Sequence, residues 1–249
     1  MKPKKIYLIR HGESVRNAGE GNYWEVPTHE SPLTKLGESQ TKPAGSKLKD
    51  LLGNQKALVI VSDYTRTRQT FEGIRVSLDP DQIEVKYETL IRERDTKLLS
   101  KREETGFEKE VQKRVGEYYF FDGKYMFESG AKVDDRVSLF WMMQQQEFQQ
   151  PEFPENLVVV GHGFSGRVLL KRMLGESVET FGTWRNLNNC EIVELSLQPN
   201  GKYKMETDLI KPELKRETCL LATSGKTRLP GRQSSAPKRS AQGRPQPVL

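Results

Sequence analysis

Short apolar runs alternate with helical patterns along most of the chain. The runs predicted as strands are residues 6–9, 57–62, 83–90 and 156–163. The first, second and fourth runs are apolar with little alternation, which is typical of strands buried on both faces of a sheet. Helical patterns cover about residues 34–52, 65–76 and 133–146. Residues 191–206 predict a hairpin at a sheet edge, with Asn200-Gly201 at its turn.

This alternation of strands and helices predicts an α/β fold. We expect three layers, with a doubly wound and mostly parallel sheet covered by helices on both faces. Residues 97–130 are polar and irregular, and we predict short helices and loops packed over the sheet there. The chain has 249 residues, enough for one such domain with an ample core, and we place that domain at residues 1–222.

The basic character of the chain belongs to its last segment. Residues 223–249 contain six Lys or Arg and no acidic residue, while the whole chain has 40 basic and 34 acidic residues, so the remainder carries 40 − 6 = 34 of each. Four prolines, three glycines and four serines in this segment predict a disordered basic tail. Such a tail could contact polyanions, but no specific nucleic acid is expected because no stacking aromatic residues are interleaved with its charges.

Composition also limits the class of protein. No apolar stretch approaches the roughly 20 residues that a membrane-spanning helix needs. The two cysteines, Cys190 and Cys219, have neither a metal-binding nor a redox spacing, which favours a reducing compartment. We therefore expect a cytoplasmic protein without a membrane span, and the sequence does not predict its oligomeric state.

Cationic side chains and histidines follow the predicted strands. Arg10 and His11 come directly after the first strand, Arg66 follows the second, and His162 ends the fourth. In parallel sheets, ligands bind outside the carboxyl ends of the strands, so we expect these four side chains to lie close together. Histidines, arginines and the first amides of the following helices form a site suited to phosphate.

Several phosphate chemistries do not fit these residues. Gly225-Lys226-Thr227 has Leu220 where a P-loop needs a glycine, neither cysteine lies beside an arginine-bearing loop, and three histidines are too few for a two-metal phosphatase. Histidine itself remains as a nucleophile, with arginines to neutralise the phosphoryl oxygens and a carboxylic acid to protonate the leaving oxygen. We expect neither a metal nor a cofactor.

Four motifs together resemble a known family. They are "RHGES" (10–14) with Asn17, "TRTRQT" (65–70), "RERD" (92–95) and "GHG" (161–163). In this order they are similar to the motifs of the histidine phosphatase superfamily, also called phosphoglycerate-mutase-like, over about residues 4–210. Residues 128–140, 162–170 and 177–181 resemble in particular the plant and fungal members described as broad-range acid phosphatases. The resemblance implies the phosphoglycerate-mutase-like α/β fold.

The resemblance also implies roles for individual residues. His11 matches the nucleophile that becomes phosphohistidine, and Glu93 matches the general acid and base. Arg10 and Arg66 match the arginines that bind phosphate, and His162 matches the second histidine, which donates to the transferring phosphoryl group. The further substrate contacts that it implies are Ser14, Asn17 and the Gly163 amide.

The function predicted from these residues is metal-independent hydrolysis of a small phosphorylated substrate through a phosphohistidine. Two alternatives remain at this point. One is a phosphoglycerate-type phosphomutase, which returns the phosphate to a substrate instead of to water. The other is a non-catalytic scaffold that binds a phosphorylated ligand in the same pocket.

Overall fold

The computed structural model describes residues 2–21, 25–95, 116, 118–119 and 128–212. The polar region predicted at 97–130 falls mostly outside the described residues. The predicted basic tail falls outside them as well, so the boundary at residue 222 stays a prediction.

Six strands and six α-helices form the described part of the chain. The strands are β1 (Lys5–Arg10), β2 (Ala57–Ser62), β3 (Ile83–Glu88), β4 (Asn156–Gly161), β5 (Ile192–Leu197) and β6 (Tyr203–Met205). The helices are α1 (Val15–Ala18), α2 (Lys35–Leu52), α3 (Thr65–Arg75), α4 (Gly130–Glu147), α5 (Phe164–Leu174) and α6 (Val178–Thr183), with a 3₁₀ turn at Pro80–Gln82.

The ends of two helices show how the local sequence fixes these bounds. Thr34 caps α2 as expected, because its hydroxyl accepts the Gly37 N–H at 3.0 Å. Helix α4 begins three residues before the position that periodicity predicted. The reason is a second cap, in which the Ser129 hydroxyl accepts the Lys132 N–H.

The strands form one sheet in the order β3-β2-β4-β1-β5-β6. Strands β1 to β4 are parallel, whereas β5 runs antiparallel to β1 and β6 antiparallel to β5. The hairpin predicted at 191–206 is therefore present at one edge of the sheet. The prediction of a doubly wound, mostly parallel α/β sheet is confirmed.

Both faces of the sheet are covered, as the apolar strands indicated. Along β1, Ile6 and Leu8 pack into a core on the side of α4 and α5, while Tyr7 and Ile9 pack into a core on the side of α2 and α3. All four side chains are buried. Since neither face is left to solvent, the open positions for a ligand lie at the ends of the strands. Within the ranges described, no helix has the length and apolar character needed to cross a bilayer.

Candidate active site

A cavity of ≈ 340 Å³ opens at the carboxyl ends of the parallel strands. Ten of the residues that the structure describes line it: Arg10, His11, Arg16, Asn17, Thr28, Arg66, Glu93, Arg94, Phe164 and Asn186. They come from the last residue of β1, from the segments after β1, β2, β3 and β4, and from the loop before β5. Five of the residues predicted from the sequence, His11, Arg10, Arg66, Glu93 and Asn17, are among them.

His11 follows the last residue of β1, and its hydrogen bonds fix its tautomer. Its Nδ1 lies 2.6 Å from the Gly12 carbonyl oxygen, which can only accept, so Nδ1 carries the proton. The other ring nitrogen, Nε2, then has a lone pair, and the Arg66 Nε–H donates to it at 3.1 Å. Only 3% of the His11 residue is exposed. His11 therefore presents an unprotonated Nε2 beside a guanidinium.

The glycine after His11 is required by close packing. A Cβ at position 12 would lie 2.6 Å from the Gly37 carbonyl oxygen in the first turn of α2. The Gly12 N–H also donates to the Thr70 hydroxyl of α3 at 2.9 Å. Helices α2 and α3 thus both contact Gly12, whose carbonyl orients the His11 ring.

Both buried histidines are neutral at neutral pH. Burial, followed by the charges of Arg66 and Arg10, holds the pKa of His11 well below its ordinary value of 6.5. Burial, followed by the charge of Arg66 and by His11, does the same to the pKa of His162. The cationic charge of the site therefore comes from arginines and not from imidazolium groups.

His162 lies directly after β4, and no part of it is exposed. Its ring centroid is 5.3 Å from that of His11 and 5.1 Å from that of Tyr64, edge to face in both cases. Its Nε2 shares a hydrogen bond of 2.8 Å with the Ser62 hydroxyl at the end of β2. Among the residues described, Nδ1 has no hydrogen-bond partner, although it is buried. Such an atom is costly unless a ligand completes its bonding.

Arg66 lies in the first turn of α3 and is 4% exposed. Besides its bond to His11, it donates from Nη1 to the Thr28 carbonyl at 2.6 Å, and its guanidinium stacks on the Tyr64 ring at 4.9 Å. Burial lowers the pKa of Arg66 to about 10, opposed by the charge of Glu93, so the group stays cationic at neutral pH. These contacts hold the Arg66 guanidinium in a fixed orientation at the cavity.

Arg10 is the second cation held next to His11. Its Nη1 donates to the Leu187 carbonyl, while its buried Nε has no partner within the described part of the chain. Burial lowers its pKa, and the charge of Glu93 opposes that shift. A donor left in this way beside a cavity is suited to an anionic ligand.

Glu93 caps the helix that follows His162. Its two carboxylate oxygens accept the Phe164 N–H at 3.0 Å and the Ser165 N–H at 3.1 Å, at the start of α5. One of them also accepts the Arg94 N–H at 2.9 Å. Gly163, the residue at the N-cap position, has no side chain that could do this. Among the described residues that line the cavity, Glu93 is the one with a carboxylate.

The remaining predicted contacts have different placements. Ser14 caps α1 by accepting the Asn17 N–H at 3.2 Å, and it does not line the cavity. Asn17 does line it, and its side-chain oxygen accepts from Ser14 N and from the Asn189 amide, both at 3.3 Å. Gly163 packs so closely on Asn186 that a Cβ would lie 2.5 Å from the Asn186 Oδ1. Their roles toward a substrate stay predictions.

The sequence did not predict five of the ten described residues that line the cavity, namely Arg16, Thr28, Arg94, Phe164 and Asn186. Arg94 and Phe164 stand next to predicted residues, so the motifs contained a signal for them. Thr28 and Asn186 come from loops distant in sequence, where no pattern marks them. In the described ranges, no group of three or more His, Cys, Asp or Glu side chains has an arrangement that could hold a metal ion.

Comparison with known proteins identifies the family. Residues 6–207 match the family model of the histidine phosphatase superfamily, branch 1. The chain therefore belongs to this superfamily, as its motifs indicated.

Curated relatives agree with this assignment. The chain is 34% identical over 221 residues to the phosphoglycerate mutase-like protein AT74H of Arabidopsis thaliana, covering 82% of this chain and 77% of that protein. It is 30% identical over 200 residues to the probable phosphoglycerate mutase GpmB of Erwinia tasmaniensis, covering 78% and 85%.

Solved structures share the fold. A mycobacterial glucosyl-3-phosphoglycerate phosphatase matches with a TM-score of 0.61 at 18% identity, covering 84% of this chain and 100% of that one. A phosphoserine phosphatase from Entamoeba histolytica matches with a TM-score of 0.58 at 19% identity, covering 84% and 98%. At these identities the likeness concerns the fold.

Proposed function

We propose that this chain is a phosphomonoester hydrolase that works through a phosphohistidine at His11. The observation that carries the proposal is the bond from His11 Nδ1–H to the Gly12 carbonyl. It leaves a lone pair on Nε2, which accepts the Arg66 Nε–H in this structure and attacks phosphorus once that N–H turns to the phosphoryl group. The lowered pKa of His11 keeps the lone pair unprotonated at neutral pH.

The cationic groups of the cavity suit the charge that a transferring phosphoryl group carries. Arg66 and Arg10 flank His11. The buried Nε of Arg10 has no partner in the described part of the chain, and the Nε–H of Arg66 donates to His11 Nε2. Preorganised donors of this kind stabilise a transition state without reorganising during the reaction. We assign the phosphoryl oxygens to Arg10 and Arg66, which line the cavity together with Asn17. We add His162 and the Gly163 amide from the resemblance, because they lie behind the lining and the His162 ring is 5.3 Å from that of His11.

The two halves of the cycle balance as follows. The His11 Nε2 lone pair forms a bond to phosphorus while the ester P–O bond breaks, and protonated Glu93 gives its proton to the leaving oxygen. Water then attacks phosphorus, the N–P bond breaks, and Glu93 takes the proton that water loses. The products are the alcohol and inorganic phosphate, and the enzyme returns to its starting state.

A second candidate is a phosphomutase, because curated relatives such as GpmB are named probable phosphoglycerate mutases. In that reaction the same phosphohistidine would form, but its phosphate would pass to a second alcohol instead of to water. The products separate the two candidates, since only the hydrolase releases inorganic phosphate in proportion to the ester consumed.

The proposal is tested by assaying phosphate release from a panel of sugar phosphates, nucleotides, phosphopeptides and inositol phosphates. We expect release from wild type and none above background from His11→Ala. Transfer of phosphate between alcohols without net release would favour the mutase. Ligand binding by wild type with neither reaction would favour a non-catalytic scaffold.

A further inference from the structure

An ion pair outside the cavity holds the loop that carries Glu93. Arg136 lies on α4, and Glu128 lies two residues before that helix. The guanidinium and the carboxylate meet through two parallel bonds, Nε to Oε1 at 2.9 Å and Nη2 to Oε2 at 3.0 Å. The side chains are only 17% and 23% exposed, so solvent screens the pair weakly.

The other hydrogen bonds of this pair go to the backbone around Glu93. Arg136 donates from Nη1 to the Leu90 carbonyl at 2.6 Å and from Nη2 to the Glu93 carbonyl at 3.2 Å. The Glu128 carboxylate accepts the Asp95 N–H at 3.0 Å. The pair therefore binds backbone groups before, at and after Glu93.

Glu93 is consequently held at both of its ends. Its backbone is fixed to α4 through Arg136, and its carboxylate is fixed to the start of α5 through the Phe164 and Ser165 N–H groups. Burial raises the pKa of Glu128, but the bonds from Arg136 and Asp95 outweigh burial and leave that pKa below its ordinary value. The pair thus stays charged at neutral pH and can hold the loop in place.

We propose that Arg136 and Glu128 are positioning residues that place the Glu93 carboxyl for proton transfer to the leaving oxygen, an inference that rests on the proposed function. Neither residue lines the cavity, so each acts through Glu93 and not on the substrate. The planar fork of an arginine is needed, because one guanidinium serves a carboxylate and two carbonyls at once. A lysine offers a single ammonium and cannot reproduce that geometry.

The test measures how strongly the rate depends on the leaving group. Single-turnover phosphorylation of His11 is followed with 4-nitrophenyl phosphate, whose leaving group needs little protonation, and with phenyl and methyl phosphate, whose leaving groups need more. With the poor leaving groups, Arg136→Lys should lower the rate of His11 phosphorylation on the order of 10–100-fold, as expected for a misplaced catalytic group. With 4-nitrophenyl phosphate the same rate should fall less than about 3-fold, because that leaving group needs little protonation.

A matched control comes from the opposite end of α5. Arg172 makes a similar two-pronged pair with Asp134, with Nε to Oδ1 at 2.7 Å, and it does not line the cavity. Arg172→Lys should leave the dependence on the leaving group unchanged, whatever it does to stability. If Arg136→Lys does not fold, Glu128→Gln replaces it, because it keeps the side-chain shape and removes only the charge.

Coupling to Glu93 decides between positioning and a general structural role. Glu93→Gln combined with Arg136→Lys should be no slower with phenyl phosphate than Glu93→Gln alone, because both changes remove the same proton transfer. Additive losses, or equal losses on all three esters, would overturn the inference while phosphorylation by wild type still supports the proposed function. Failure of wild type to phosphorylate His11 with any of the esters would overturn both.

Discussion

Acidification should destabilise this protein through its two buried histidines before the carboxylates contribute. His11 and His162 are buried and neutral, and burial is the main reason that the pKa of each lies well below 6.5. In the unfolded chain both return to about 6.5. Below that pH the unfolded state binds more protons than the folded state, so the free energy of unfolding falls as the pH falls.

The size of the effect follows from the number of histidines. Each one that stays neutral in the folded state removes about 1.4 kcal/mol of stability per pH unit below pH 6.5. Between pH 7 and pH 5 this amounts to about 2 kcal/mol for each histidine and about 4 kcal/mol for both, if neither accepts a proton while folded. That loss is a large fraction of the roughly 5–15 kcal/mol by which domains are stable.

The assay is urea unfolding at half-unit steps from pH 7 to pH 5 in buffer without phosphate, because a bound anion would stabilise the folded state. His11→Asn should reduce the loss over this range to about half, since only His162 then contributes. His29→Asn is the control, because it also removes one imidazole, but one whose side chain is 59% exposed. A free energy of unfolding that stays constant between pH 6.5 and pH 5 would refute the reasoning.

Three further predictions follow from the site and the sequence. Gly12→Ala should lower the free energy of unfolding, measured by heat or urea, by about 1–3 kcal/mol and slow phosphorylation of His11. The reason is that its Cβ would lie 2.6 Å from the Gly37 carbonyl oxygen and displace the Gly12 carbonyl that orients the imidazole. Unchanged stability and rate would contradict the packing argument. Dialysis against a chelator should leave phosphate release unchanged, since the arginines supply the positive charge that metals provide elsewhere; a loss that magnesium, manganese or zinc restores would contradict the mechanism. Removal of residues 223–249 should change neither the melting temperature nor activity on small esters, because the segment has few large apolar residues to bury; a large drop in melting temperature would show that it packs on the domain.

The fold could be predicted because its strands are unusually clear. β1, β2 and β4 are continuous apolar runs, and each is followed by a helical pattern. The antiparallel pairing of β5 with β1 was harder to predict from the sequence. The hairpin pattern indicated an edge, but no local signal states which strand an edge hairpin joins.

The site could be predicted from two signals, namely the resemblance that gave Glu93 and Asn17 and the rule that ligands bind at strand ends. Arg10, His11 and Arg66 follow from that rule, and His162 follows from the repeated pattern of strand, histidine and glycine. Thr28 and Asn186 could not be found, because they reach the cavity from loops whose path depends on tertiary packing. The bonds of Arg136 to the Glu93 loop were equally hidden, since they join residues 43 and 46 positions apart.

The central claim is that the Nε2 atom of His11 is the nucleophile. The most direct test is to let the protein react with a ³²P-labelled ester, to quench the reaction with alkali, and to locate the label on the protein. We predict an acid-labile and base-stable label on Nε2 of His11, formed and discharged at least as fast as turnover and absent from His11→Ala. A label that resists acid, appears on another residue, or persists in the alanine variant would contradict the account.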